Sequence, residues 1–263
     1  MRPAKRAQEL SLFAASLKRI PIAAERLQAQ KHKHKIPSGL TDIDKKLQGG
    51  IVRGELTLIA AQESEFLTQT LIHICLHSLA KQLSCVYVSR ETREHRVKQA
   101  FCMAQANIMS TAFEREFLAV KERLQLLQAR ENICWSKLSL LKAKQVSHKN
   151  LNLHIYTYQP DLVVVEKQIL DATLGNTTKL SKSVLVTESL KRLQILARKY
   201  HVAITAAYPL AKNRRFDRIL DSLETFVQNE QIYTMICLPS QRSDKGAVIL
   251  RSEDLGGSRA RRT

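Results

Sequence analysis

IPSGLTDIDKKLQGGIVRGELTLIAAQESEFLTQT, residues Ile36–Thr70, decides the fold of this chain. Pro37, Ser38 and Gly39 read as a turn. Leu40, Ile43 and Leu47 then give a short amphipathic helix, with Thr41 or Asp42 as its cap and the pair Gly49-Gly50 at its end. Arg53 and Gly54 turn the chain into Glu55–Ala61, a strand that becomes apolar on both faces, as a strand buried in a parallel sheet does. Gln62–Leu67 reads as a loop, followed by a helix from Thr68 to Leu83 whose apolar face is Leu71, Ile72, Cys75, Leu76 and Leu79. Strand, loop and helix in this order are the layout of a phosphate-binding loop. The loop pattern asks for a glycine, four residues, then Gly-Lys-Ser/Thr. Those places hold Ala61, Phe66, Leu67 and Thr68, so only the hydroxyl remains.

The substitutions remove the chemistry of the loop. A glycine there lets backbone N–H groups curl round phosphate oxygens, whereas Phe66 brings a large side chain to the point of closest approach. Leu67 removes the ammonium that would neutralise the terminal phosphates, and Glu63 and Glu65 add charge of the wrong sign. Loss of one preorganised donor in a site of this kind slows reaction by ~10²–10³-fold.

Outward from this stretch, strands and helices alternate. Ser84–Ser89 and Asp161–Val165 read as buried strands, ending at Arg90-Glu91 and at Glu166. Leu151–Tyr158 alternates enough to read as a further strand. Thr187–Tyr200 is a helix, Val202–Ala207 a strand, Phe216 to about Gln228 a helix, and Ile232–Leu238 and Ala247–Arg251 late strands. Phe113–Lys144, rich in Leu, Lys, Arg and Gln, carries a long helical pattern interrupted near Asn132. This arrangement predicts an α/β fold, a mainly parallel sheet between helical layers, with a helical insertion over 111–150. Ligands of such sheets sit at the carboxyl ends of the strands, where Gln62–Leu67, Glu91, Glu166 and Tyr208 fall. Residues 1–35 form a basic lead segment with Leu10, Phe13, Leu17 and Ile20 at helical spacing, and 252–263 a basic, disordered tail.

Composition limits the partners. The 263 residues carry a formal net charge of +18, which favours a polyanion. Lys31, Lys33, Lys35, Lys212, Arg214, Arg215 and Arg242 are the candidate phosphate contacts. Aromatics are only 5% of the chain, too few for base stacking to be the main mode of binding. His73 and His77 share a helix face but lack the glutamate of the zinc-protease motif, and no metal site is expected. The five cysteines form no CxxC and read as reduced packing residues of a cytoplasmic protein. No apolar run is long enough to span a membrane.

Several of these stretches carry a family resemblance. IPSGLTDIDKKLQGGIVRGELTLIAA resembles the start of the RecA-like motor domain of DnaB-type replicative helicases, and is also similar to the same region of the RadA/Sms recombination ATPase. VYVSRET resembles the strand that those families follow with a catalytic glutamate, here Glu91. PDLVVVE resembles the Walker B strand, with Glu166 where the family has a metal-coordinating Asp. ESLKRLQILARKYHVAITAAY resembles the next helix and strand, with Ala207 and Tyr208 in place of a Ser-Gln sensor. Gln241-Arg242 followed by Gly246 is faintly similar to the arginine-finger segment. The resemblance spans roughly Ile36–Leu250. It implies a three-layer RecA-like domain over 36–251 with a degenerate Walker A loop.

It also implies vestigial roles: Glu91 and Glu166 for catalysis, Gln62, Ser64 and Thr68 for nucleotide. The expected function is a DNA-binding accessory of replication or recombination, in a bacterium or phage and associated with the nucleoid, without efficient ATP hydrolysis and without a required cofactor. Two alternatives stand beside it. One is an active ATP- and Mg-dependent helicase or recombinase with a variant loop. The other is a non-catalytic adaptor docked on a helicase or recombinase ring, or assembled as a homo-oligomer.

Overall fold

Six buried residues in a row make β1 (Leu56–Ala61) the centre of the molecule. The computed structural model describes residues 35–108, 118–143, 146–166, 182–210, 234–238 and 247–251. In chain order the further elements are α1 (Thr41–Lys46, before β1), α2 (Ser64–Ala80), β2 (Cys85–Ser89), α3 (Glu94–Ala106), α4 (Val120–Asn132), β3 (Leu138–Lys142), α5 (His148–Tyr158), β4 (Leu162–Val165), α6 (Lys182–Tyr200), β5 (Ala203–Pro209), β6 (Thr234–Cys237) and β7 (Val248–Arg251). The strands form one sheet in the order β3-β2-β4-β5-β1-β6-β7. Every pairing is parallel except that of β7 with β6. This is the mainly parallel sheet that the alternating pattern predicts.

Alternation along the strands divides the core into two layers. Leu56, Leu58 and Ala60 face one side with Val86, Val163 and Ile204, and are covered by Leu151 and Ile155 of α5 and Leu190, Leu193 and Ala197 of α6. Ile59 and Ala61 face the other side with Tyr87 and Val164, under Leu71, Ile74 and Cys75 of α2 and Phe101 of α3. Phe101 meets Tyr87 edge-to-face at 5.1 Å, a geometry the ring quadrupoles favour. Each such buried aliphatic side chain contributes about 1.5–3 kcal/mol. Cys75, Cys85 and Cys237 are buried free thiols within these layers.

The lead-in clips onto this core. Ile36 and Ile51 exchange two backbone hydrogen bonds of 2.8 and 2.7 Å. Neither Thr41 nor Asp42 caps α1, whose N-cap position is Leu40. Asp44 instead reaches back to accept from the N–H groups of Ser38 at 2.7 Å and Gly39 at 3.1 Å. Gly50 is required: its φ is +123°, and a Cβ there would lie 2.2 Å from the Ile36 carbonyl oxygen.

Three further sequence expectations are corrected. Residues 148–158 are helix α5, not a strand: Ser147 accepts from the Asn150 N–H as a cap, and Leu151 and Ile155 then fall one helical turn apart on the buried face. The segment 111–150 is not a purely helical insertion. Helix α4 ends at Asn132 and the chain adds β3 to the sheet beside β2. Helix α2 begins at Ser64, not Thr68. The expected helix at 216–228 lies outside the described residues. No helix among the described residues is long and apolar enough to cross a membrane.

Candidate functional site

Because β1, β2, β4 and β5 run parallel, their carboxyl ends meet at one edge of the sheet. Ala61, Ser89, Val165 and Pro209 end these strands, and the predicted site residues follow from them. Between β1 and α2 only Gln62 and Glu63 remain outside regular structure. The four residues Ser64–Leu67, expected in a loop, are the first turn of α2. The Leu67 N–H donates to the Glu63 carbonyl at 3.0 Å, so it is held within the helix. The Leu67 side chain is 4% exposed and packs in the core layer beneath α2, with Phe66 against the same layer. Ser64 lies exposed at the first position of the helix.

Thr68, one turn further on, points to the sheet. Its hydroxyl donates to Glu166 Oε1 at 3.0 Å. Glu166 Oε2 accepts from the Ser89 hydroxyl at 2.8 Å and the Arg90 N–H at 2.8 Å. The Glu166 carboxylate therefore joins helix α2, the end of β4 and the end of β2, with both oxygens engaged by protein donors. Charge-assisted bonds of this kind are the stronger class. Ser89 gives a further link, because its hydroxyl oxygen accepts from the Glu91 N–H at 3.0 Å.

Glu91 turns towards the start of α3. Its Oε1 accepts from the N–H of Arg93 at 2.9 Å and of Thr92 at 2.8 Å. The Arg93 bond, then the Thr92 bond and the nearby Arg96 and Arg93 charges, overcome slight desolvation and hold this carboxyl below the usual range. Glu91 and Glu166 thus share the edge of the sheet, but each has its own set of backbone donors. Among the described residues no three His, Cys, Asp or Glu side chains gather as metal ligands. Tyr208, beside Ala60 in the sheet register, is partly buried, and burial pushes its phenol up.

The candidate nucleic-acid residues divide differently. Lys35 folds back onto α1, its ammonium donating to the Leu47 carbonyl at 2.8 Å and the Gln48 carbonyl at 3.3 Å. That is a favourable place for a cation, at the negative end of a helix. Lys31, Lys33, Lys212, Arg214, Arg215 and Arg242 lie outside the described residues. Sequence reasoning passed over Arg90, Arg93 and Arg96, exposed on the loop after β2 and the start of α3. Their signal was available as an Arg every third residue following a strand end.

A model of the DnaB-like helicase C terminal domain matches residues 35–218, well over half of the chain. The chain belongs to that family. Solved structures carry the same RecA-like fold. One is described as an ATPase domain, with 16% identity, TM-score 0.68 and 91% of each chain covered. Another is a DnaB-like replicative helicase solved for its interactions with primase, with 16% identity and TM-score 0.67, covering 84% of this chain and 58% of that one. A third is the KaiC-like protein PH0186 from Pyrococcus horikoshii OT3, with 14% identity, TM-score 0.52, and 83% and 88% of the two chains covered. No curated protein sequence matches the chain. Thr68 and Glu166, which the sequence resemblance aligns with the Walker A and Walker B stretches, bond to each other here.

Proposed function

We propose that this DnaB-like domain is a DNA-binding accessory of replication or recombination that does not turn over ATP efficiently. The observation that carries the reading is the start of α2 at Ser64, which winds the expected phosphate cradle into a helical turn. The nucleotide and magnesium that the fold family implies do not fit the residues present. The Leu67 N–H is committed to Glu63, the lysine position is a buried leucine, and Glu166 already accepts from three protein donors. A helicase with a variant loop would need a substitute cation, and the residues between β1 and α2 supply Glu63 instead. The net charge of +18 supports a nucleic-acid partner held through its phosphates without base reading. A related helicase or recombinase is the protein partner that this reading implies.

Parallel titrations with a labelled ATP analogue and labelled single-stranded DNA test the reading, with ATP hydrolysis followed in the same samples. DNA binding without saturable nucleotide binding is the expected result. DNA-stimulated hydrolysis that is abolished by Glu91→Gln would overturn it in favour of an active motor.

A further inference from the structure

Helices α5 and α6 cover the face of the sheet opposite α2 and α3, and they leave apolar side chains in solvent. Leu153 and Tyr156 of α5 are 63% and 65% exposed, and Ile195 of α6 is 61% exposed. Lys149, Leu153 and Tyr156, spaced by four and then three residues, share one stripe of α5, and Lys191, Ile195 and Arg198 repeat that spacing on α6. Polar contacts fix the seam between the stripes. The Tyr200 hydroxyl donates to Asn152 Oδ1 at 2.7 Å, and Lys199 Nζ lies 3.5 Å from the same oxygen. That ammonium is 4.9 Å from the centre of the Tyr200 ring, and the Tyr200 and Tyr156 rings are 6.4 Å apart. Glu188 is the only carboxylate on either helix, and its Oε1 accepts from Arg192 Nε at 2.9 Å. Asp161, just beyond α5, is held by Arg53 and Ser84. The surface is therefore apolar in its middle and cationic at its borders.

We propose that this α5–α6 surface docks an acidic peptide segment of another protein, one that carries leucine or aromatic side chains between its carboxylates. Burial of Leu153, Tyr156 and Ile195 favours an apolar partner, and Lys149, Lys191, Arg198 and Lys199 favour an acidic one. A tyrosine that already meets a second ring, beside a lysine held in place, is the kind of anchor on which interfaces concentrate their binding energy. Single-stranded nucleic acid fits less well. Its platforms are aromatic rings, whereas Leu153 and Ile195 are aliphatic. A second copy of this chain also fits less well, because two such faces would set cations against cations. Helices α5 and α6 end just before β4 and β5 begin, so Tyr156, Lys199 and Tyr200 lie toward the amino ends of the strands, at the opposite end of the sheet from Glu166. Docking there needs neither nucleotide nor DNA, so it does not rest on the DNA-binding reading.

The test uses the full chain and a fluorescein-labelled peptide in which Leu and Phe are interspersed with Asp and Glu. One counterpart replaces Leu and Phe by Ser, and the other replaces the acids by Lys. Fluorescence anisotropy is expected to show the acidic apolar peptide binding at least about tenfold more tightly than either counterpart. Leu153→Gln with Tyr156→Gln is expected to weaken that binding by about tenfold or more, as is Lys149→Glu with Lys199→Glu. Lys121→Glu with Arg123→Glu on α4 makes the same change in net charge elsewhere, and should leave the affinity within about twofold. Circular dichroism should find each variant folded, since the altered side chains are exposed. Absence of saturable binding by the acidic apolar peptide would overturn the proposal, as would equal binding of the serine counterpart or an equal loss in the α4 variant. A labelled oligodeoxythymidylate that loses affinity in the Leu153 and Tyr156 variant would assign the surface to nucleic acid instead. Self-association of the chain, seen by light scattering and lost in that variant, would assign it to a second copy.

Discussion

Glu166 is the residue on which the edge of the sheet depends. Its carboxylate holds Thr68, Ser89 and the Arg90 N–H together. Removing it leaves those donors without their acceptor. Hydrogen bonds to a charged group contribute about 1.5–3 kcal/mol, so Glu166→Ala is expected to lower the melting temperature by about 5 °C. Nucleotide affinity, measured on the same variant, should not change. The position of Glu166 was legible because DLVVV ends a buried strand. Its bonding was not, because the partners lie 77 and 98 residues away in sequence. Two other residues make stability depend on pH in separate windows. His148, at the α5–α6 contact, has its pKa lowered to about 4, by burial first and then by Arg192, against Glu188. It is neutral in the fold and protonates more readily when unfolded, so stability falls as pH drops from about 6.5 to about 4. Asp161 titrates lower. Burial would raise its carboxyl, but the Ser84 N–H and hydroxyl and the Arg53 guanidinium outweigh burial and hold it below the usual range. Its contribution is present above the unfolded value of about 3.9 and is lost as pH falls through the folded pKa. Denaturant melts across pH should therefore lose the upper slope in His148→Gln and the lower slope in Asp161→Asn.

At the scale of elements, the proposed loss of phosphate binding rests on the junction of β1 and α2, where α2 begins at Ser64. Phe66→Gly with Leu67→Lys would restore the Gly-Lys-Thr end of the pattern, with Ala61 still at its first place, but not the loop. A glycine in the first turn weakens the helix by about 1 kcal/mol, and a lysine at the buried Leu67 site must bring an ammonium into an apolar layer. The double variant is expected to be less stable by roughly 3 kcal/mol and to gain no binding of ATP with magnesium in equilibrium dialysis. Tight nucleotide binding by this variant would mean that the two side chains alone had closed the cradle. The strands β1, β2, β4 and β5 were legible because each is a short apolar run buried on both faces. Edge strand β3 was not, since all five of its residues are only half-buried and it continues a Leu- and Lys-rich helical pattern. Helix α5 differs from the expected strand because alternation over a few residues fits either period, and the Ser147 cap selects the helix. Helix α2 starts earlier than the loop motif predicts because apolar Phe66 and Leu67 join the helix face.

For the whole molecule, charge is the property that reaches furthest. A net charge of +18 on 263 residues attracts a polyanion at long range, and salt screens that attraction. Each phosphate neutralised on a single strand contributes about −0.7 to the slope of log affinity against log salt. If Lys212, Arg214 and Arg215 contact phosphates as their clustering suggests, replacing all three by alanine should make the slope shallower by about 2. The loss should be uniform across DNA sequences, because phosphate contacts carry no base information. Anisotropy titrations over a range of salt concentrations, with strands of different sequence, measure both quantities. A flat response in the parent chain would remove the electrostatic basis for DNA binding. An unchanged slope in the triple variant would move the contact to other cations, with exposed Arg90, Arg93 and Arg96 at the carboxyl edge of the sheet the next set to replace.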